Sequence, residues 1–504
     1  MKRSFTLAAA LLSLSATTAF ALTEAGKRIR ADIDALSSDE LNGRRAGTAD
    51  ADRAAAYVES AFRRIGLLPA GVRGTYRQSF DFVDAVDLGP KNALATSGSA
   101  PIGRTWSVGT DYRPLAFSAA GTIEGDVVFA GYGIVAKELS YDDYQGIDVN
   151  GKIVLVLRYG PEGADPKSRF WPYVALRQKA AAARERGAKA LLVATGPNTR
   201  DVSDDLVALR TDASFSDAGL VALSLKRPVA ESLFGGSGTT LADAQKAVDE
   251  KGRPAPLALR KARVSAVADV TPRRSKTSNV LGLLPGADPS RNTEFVVVGA
   301  HYDHLGLGGA GSLEEKPEGK IHHGADDNAS GVAGVLELAR SLVPMRGVLK
   351  RSILFVAFGA EEEGTLGSLH FTKSPTVPLE SVVAMVNLDM VGRLRDDRLA
   401  VHGVGTSPAW KPLVAKANEG PGLKLALHEG GFGPSDHATF FAARRPVLFL
   451  FTGNHADYHR ATDTVEKINV DGLEKVLRFL APVVTGVANG DERPAFAGPA
   501  AEKR

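Results

Sequence analysis

VVVGAHYDHLGLGGAGSLEEKPEGKIHHGADDN, from Val296 to Asn328, is the stretch whose reading decides the fold. It opens on Phe295-Val296-Val297-Val298, an apolar run too short for a helix and rich in β-branched residues, which predicts a buried strand. His301-Tyr302-Asp303 closes that strand. A histidine there can ligate a metal through one ring nitrogen while a carboxylate two residues on fixes the proton on the other. Gly324-Ala325-Asp326-Asp327-Asn328 then leads into a helix that starts near Ser330. Taken alone, a His-x-Asp is also what a core histidine in a turn looks like, so the decision rests on what surrounds it.

Outward from that stretch, the distribution of histidine is informative. All ten histidines of the 504-residue chain lie at or beyond His301. Imidazole chemistry therefore belongs to the C-terminal portion. The length predicts two domains. With 61 basic and 58 acidic side chains the net charge is only +3, which argues against nucleic acid or an anionic membrane surface as a bulk electrostatic partner. Residues 1–21 read as a signal peptide: Lys2 and Arg3, an apolar core from Leu7 to Leu14, and Ala19-Phe20-Ala21 as a small-x-small cleavage site. That core is too short to span a bilayer, and no later stretch reaches about 18 apolar residues. The expectation is an exported chain, periplasmic or extracellular, without a membrane anchor. Having no cysteine, it has neither disulfides nor thiolate ligands.

From the N-terminus, the pattern predicts a first helix over Thr23 to Leu36 and a glycine-bearing loop, Leu41-Asn42-Gly43-Arg44-Arg45-Ala46-Gly47-Thr48. A second helix, capped by Thr48 or Asp50, runs to Ile65 and stops at Gly66. This forms the N-terminal part of the main domain, 22–120. From Gly121 the texture changes to short strands and turns. Gly125 to Ala130, Lys152 to Leu157, Ala190 to Val193 and Gly219 to Ser224 read as strands. Helices are expected over 174–186 and 241–251. Together they make a histidine-free α/β unit over 121–262, in which the acidic turn Ser140 to Tyr144 reads as solvated. Residues 264–278 read as a polar connection back to the catalytic part, 263–488. Strands at 294–300, 352–358, 382–388 and 446–451 alternate there with helices at 330–343 and from Val470, which predicts a mainly parallel mixed sheet flanked by helices. Residues 489–504 read as a disordered tail.

Four features follow apolar strands directly: His301 with Asp303, the triplet Glu361-Glu362-Glu363, Asp389, and Tyr458-His459. Asp327 joins them from the loop before a helix. Active sites of such sheets gather at the carboxyl ends of the strands. Two imidazoles and three carboxylates, one of them shared, suit a pair of zinc ions. A carboxylate bridge holds such ions roughly 3.5–4 Å apart and makes the water between them a nucleophile near neutral pH.

These blocks resemble the di-zinc co-catalytic metallopeptidases that include bacterial leucyl aminopeptidases and glutamate carboxypeptidases. The resemblance is carried by AHYDHLG (300–306), GADDNASG (324–331), AEEEGTLGS (360–368), NLDMVGR (387–393), SDHATF (435–440) and YHRATDT (458–464), and it covers most of the chain. GYGI (131–134), DDYQGIDVNGKIVLV (142–156) and GAKALLV (187–193) are similar to the protease-associated (PA) domain that several members carry as an insert. The resemblance implies a zinc exopeptidase fold with an inserted, smaller α/β PA-type domain. It also implies His301, Asp327 and Asp389 at one zinc and His459, Asp327 and Glu362 at the other. Glu361 would be the general base, Asp303 the partner of His301, and the Asp327–Asn328 peptide bond cis. Asp326 would orient its loop, and His304, His322, His323 and His437 would line the pocket or support the ligands. The segment before Ser435-Asp436-His437 has no tyrosine where some members place one for the oxyanion, which leaves that role open. The expected function is aminopeptidase action on peptide substrates, a hydrophobic first residue being favoured by Phe432, Phe440 and Phe441. A carboxypeptidase would need a cationic clamp, for which Arg393, Arg395 and Arg398 are the candidates. A non-catalytic binding domain is the other alternative. Nothing in the sequence sets the oligomeric state.

Overall fold

A computed structural model describes residues 22–97, 103–165, 167–200, 202–209, 218–251, 254–309 and 311–498. The expected signal peptide lies outside them. Among the described residues, no helix is long and apolar enough to cross a membrane.

Four strands form the centre of the larger, nine-stranded sheet: Phe295–His301, Ser352–Phe358, Val382–Leu388 and Val447–Phe451. They pair in parallel, with His301 beside Phe358 and Leu388 beside Leu450. The first three are buried at every position, as their unbroken apolar runs require of strands covered on both faces. The helices Glu24–Leu36, Gly331–Leu342 and Val470–Asn489 supply much of that cover through Ile29, Ile33, Val332, Leu336, Leu473, Leu480 and Val484. The outer strands are mixed in direction: Asn279 to Leu284 and Arg398–His402 flank the centre antiparallel to it. The sheet is thus the mainly parallel mixed sheet that the spacing predicts.

The smaller, eight-stranded sheet has its own core, with Ile153–Leu157 and Ala190–Ala194 buried at every position. It starts earlier and ends later than the change of texture at Gly121 suggests. Ala93–Ser97, Arg104–Trp106 and Tyr112–Pro114 pair into it, and Leu257–Ala268 closes it. Residues 264–278 are not a loose connection. Val270–Leu284 is one long strand, paired antiparallel with Arg77–Leu88 from Val280↔Arg77 to Val270↔Leu88 as a ribbon that joins the two sheets. On the Val270 strand, Thr271 to Arg274 remain exposed and carry no apolar alternation, while the partner strand buries Phe80, Phe82, Val83 and Val86.

The tail also differs from expectation. The last helix runs through Asn489, and the chain beyond it, though mostly exposed, is tied to the body by specific contacts. Arg493 donates to Glu294 at 2.7 Å, Ala497 N–H donates to the Thr406 carbonyl at 2.7 Å, and the Phe496 ring lies 5.5 Å from that of Phe441. Alanine and proline composition reads as disorder, but a single aromatic anchor outweighs it here.

Candidate metal centre

Because the four central strands run in one direction and in register, whatever follows each of them emerges at one edge of the sheet. There His301, Asp303, Asp327, Glu361, Glu362, Asp389 and His459 come together. His301 Nε2 stands 3.3 Å from Asp327 Oδ1 and 3.4 Å from Asp389 Oδ1. His459 Nε2 stands 3.2 Å from Asp327 Oδ2 and 3.3 Å from Glu362 Oε2. Asp327 therefore turns one oxygen to each histidine. Glu361 and Glu362 splay apart: Glu361 Oε2 lies 3.8 Å from His301 Nε2, while Glu362 faces His459.

The backbone bends sharply to achieve this. Ala360, Met390 and His459 have φ of 58°, 52° and 53°, the left-handed region that non-glycine residues rarely adopt. The three lie immediately before Glu361, immediately after Asp389, and at a histidine of the cluster. The Asp327–Asn328 peptide bond is cis. Asp303 acts mainly through the backbone: its carboxylate accepts the N–H groups of Glu361 (3.0 Å) and Glu362 (3.3 Å) and is 4.0 Å from His301 Nδ1. The ring nitrogen is closer, at 3.2 Å, to the carbonyl oxygen of Asp303. Asp326 orients its loop, accepting Gly392 N–H at 2.7 Å and facing His455 at 3.1 Å.

Electrostatically the cluster is out of balance as it stands. Burial pushes the Glu361 carboxyl well above the usual range. Burial and the nearby Asp327 carboxylate bring Glu362 up to about 7, and burial also raises Asp389. Asp327 goes the other way: burial works against its charge, but the hydrogen bonds with His301 and His459 hold it well below. Asp389 Oδ1, buried, has no hydrogen-bond partner. Desolvated carboxylates with a free oxygen and no cation are costly. The distances say what fits. Donors sharing one tetrahedral zinc at about 2.0–2.1 Å lie about 3.3 Å from each other, and the four separations just given run from 3.2 to 3.4 Å. Atoms of His301, Asp327 and Asp389, and separately of His304, Asp327 and Glu362, are mutually within 4.8 Å. The residues fit two divalent ions sharing Asp327.

Four contributors escape a reading of motifs. Arg44, fully buried, donates to the carbonyls of Tyr302 (2.7 Å), Leu36 (2.9 Å), Gly324 (2.7 Å) and Asp327 (3.3 Å), and also to that of His323. It ties the His301 strand end to the Asp327 loop and places a positive charge beneath the carboxylates. Burial lowers its pKa to about 10, which still leaves it charged. Asp463 accepts the N–H groups of Asp326 (2.9 Å) and Asp327 (3.1 Å). Ser435 accepts from Asn387 (2.8 Å) and donates to Asp389 Oδ2 (2.7 Å), leaving Oδ1 to face His301. Tyr458 stacks on His459 with ring centroids 3.9 Å apart; burial and the cluster's carboxylates raise its pKa, so it keeps its proton. The only advance signal for these was their position inside LNGRRAGT, YHRATDT and SDHATF.

Of the four supporting histidines expected, only His304 touches the cluster, at 2.7 Å from Glu362. Consecutive side chains of an extended chain diverge, so His322 turns to Ser312 (2.7 Å) and His323 to Asp39 (2.9 Å). His437 stacks on Phe449, ring centroids 4.4 Å apart. Arg393 is paired with Asp457, and Arg395 donates to the Asn454 carbonyl at 3.0 Å.

Residues 279–484 match the Peptidase family M28 model, and residues 123–232 match the PA domain model. A probable leucine aminopeptidase of Trichophyton verrucosum is 29% identical over 213 residues, 39% of this chain and 52% of that protein. Aminopeptidase YwaD of Bacillus subtilis is 24% identical over 468 residues, 91% of this chain and 84% of that protein. The chain thus spans about half the length of the fungal relative and most of the bacterial one. In fold it is similar to the solved aminopeptidase from Aneurinibacillus sp. strain AM-1, with a TM-score of 0.56 and 24% identity over 94% of this chain and 95% of that one.

Proposed function

We propose that the chain, whose residues 279–484 match the Peptidase family M28 model and whose residues 123–232 match the PA domain model, is an exported zinc metallopeptidase. It holds two zinc ions and removes residues from the free amino termini of peptides. The observation that carries this reading is the shared carboxylate of Asp327, with His301 and Asp389 at one oxygen and His459 and Glu362 at the other, at co-ligand spacing. The aminopeptidase names of its relatives support it.

Zinc held by His301, Asp327, Asp389, Glu362 and His459 would supply a water activated near neutral pH and a Lewis acid for the scissile carbonyl. The rest of the chemistry falls to this chain's side chains. Glu361, whose burial holds its proton affinity high, takes a proton from the attacking water and returns it to the departing amine. Tyr458 fills the role for which the loop before Ser435 lacks a tyrosine, donating its phenolic hydrogen to the carbonyl oxygen as charge gathers there. Recognition of an ammonium follows from sign: the site is rich in carboxylates, and Arg393, the nearest arginine to Asp389 in sequence, is already neutralised by Asp457. Phe432, 66% exposed and edge-on to Phe441 with centroids 4.7 Å apart, offers apolar surface for a hydrophobic first side chain.

The test is a leucyl peptide and its N-acetylated form, each also with an amidated C-terminus, offered to zinc-loaded protein. Cleavage should survive amidation and be abolished by acetylation; the converse establishes a carboxypeptidase. Metal analysis should return two zinc ions per active chain. Export rests on residues 1–21 and is read by finding mature protein, beginning near Leu22, outside the cytoplasm.

A further inference from the structure

The stretch His301-Tyr302-Asp303-His304 contains one histidine more than the metal reading uses. The separations distinguish its role from that of His459. His304 Nδ1 lies 2.7 Å from Glu362 Oε1 and 4.0 Å from Asp327 Oδ2. The first distance is too short for two donors on one ion, whose spacing is about 3.3 Å, and is that of a hydrogen bond. The second is too long for co-ligands. His459 has the co-ligand spacing to both carboxylates. His304 is fully buried, and its Nε2 has no partner, so a proton there would have no acceptor. A carboxylate only accepts, which puts the ring's proton on Nδ1, donated to Glu362 Oε1.

We infer that His304 is a positioning residue that reserves one oxygen of Glu362 for itself, so that Glu362 offers the second ion Oε2 alone. The inference rests on the two-ion reading above. A glutamate with both oxygens free can swing or grip an ion with both, whereas one oxygen fixed at 2.7 Å aims the other. The main chain of Glu362 is held as well, its N–H donating to Asp303 Oδ2 at 3.3 Å. Asp303 thus sets the loop and His304 sets the side chain. Hydrogen-bonding partners of ligands typically alter metal affinity by about 10–100-fold. Here the effect is confined to one ion, because His304 has no hydrogen bond to His301 or Asp389.

The test is a zinc titration of the metal-free full chain against a chromophoric chelator, resolving two binding constants, for the wild type, His304→Ala and His304→Asn. The asparagine amide nitrogen lies close to where Nδ1 does and restores a donor. His304→Ala should lose about 10–100-fold in affinity for one ion while the other changes less than threefold, and His304→Asn should recover most of the loss. Equal weakening of both ions in His304→Ala, unchanged binding, or an asparagine variant as weak as alanine would each overturn it. A wild-type chain that takes up a single ion overturns the two-ion reading before any variant is compared. A wild-type chain that binds two zinc ions yet cleaves no peptide would count against the peptidase reading and leave His304's role standing.

Discussion

Two buried aspartates, Asp143 in a turn of the smaller sheet's domain and Asp389 just past a strand of the larger sheet, show how a structural charge differs from a functional one. Asp143, in the smaller sheet's domain, has every need met inside the protein. Its Oδ2 accepts the N–H groups of Tyr132 (3.1 Å) and Ile134 (3.0 Å), and its Oδ1 accepts the Tyr141 hydroxyl at 2.8 Å. Beside it, Lys179 donates to the carbonyls of Leu157 and Tyr159. Asp389, at the edge of the larger sheet, accepts one hydrogen bond, from Ser435, and keeps Oδ1 free in a buried cluster of like charges. Burial raises both carboxyls, that of Asp143 to about 6. Proton affinity therefore does not separate them; the unmet valence does.

The contrast can be broken most forcefully at Glu361. Glu361→Gln should retain both zinc ions and fold normally while turnover falls by about 10²–10⁴-fold. Steady-state kinetics with metal analysis checks this, and near-normal turnover removes Glu361 from the proton-transfer role. Arg44→Lys keeps the charge but not the planar five-donor fork, so several carbonyls lose their partner. It should cost about 2–3 kcal/mol in denaturant titration and weaken zinc binding as well, since the Tyr302 and Asp327 carbonyls flank ligands. Stability lost with zinc affinity unchanged would show that Arg44 serves the fold alone. Asp143→Asn should cost about 1–3 kcal/mol, by turning an amide N–H₂ toward donors, with zinc content and turnover per folded molecule intact. Loss of zinc in that variant would erase the distinction between the two aspartates.

The smallest effect expected is one of pH. In metal-free protein, Glu362, Asp436 and Asp463 are raised to about 7 mainly by burial, and His459 is raised to about 9 by Asp327 and Glu362 against its burial. All four hold protons that the unfolded chain releases at about 4 for carboxyls and about 6.5 for histidine. The folded state binds more protons across that window, so the stability these groups give is present at low pH and is lost as pH rises from about 4 to 9. Zinc needs Glu362 and His459 deprotonated and binds better as pH rises. Melting temperatures of metal-free and zinc-loaded protein should therefore lie close together near pH 5 and diverge above it. Curves that coincide at every pH would mean that the cluster does not bind the metal, and a constant offset would mean that zinc does not compete with these protons.

Much of this was legible in the sequence because parallel strands advertise themselves. Phe295 to Val298, Ile353 to Phe358 and Val447 to Phe451 are unbroken apolar runs, and polar residues directly after them could only sit at the strand ends. What stayed hidden lacked a local signature. In the ribbon, Thr271 to Arg274 are exposed and give no apolar alternation. Arg44 binds main-chain carbonyls, which every residue has, so nothing elsewhere in the sequence answers to it. The consecutive His322 and His323 read as lining the pocket or supporting the ligands, yet extended geometry sends them to opposite sides, to Ser312 and to Asp39.

The ribbon has one more consequence. Leu88 is the register partner of Val270, and Gly89 N–H donates to the Asp269 carbonyl at 2.9 Å, so the chain leaves the larger sheet and returns to it side by side. The described residues between Gly89 and Asp269 thus form a cassette whose two ends adjoin at this doorway. A two-residue type I′ turn such as Asn-Gly, spliced between Leu88 and Val270, closes that doorway as an ordinary hairpin. The same pair of ends suits a foreign domain whose own termini meet at a similar spacing, because the larger sheet's strands would keep their register.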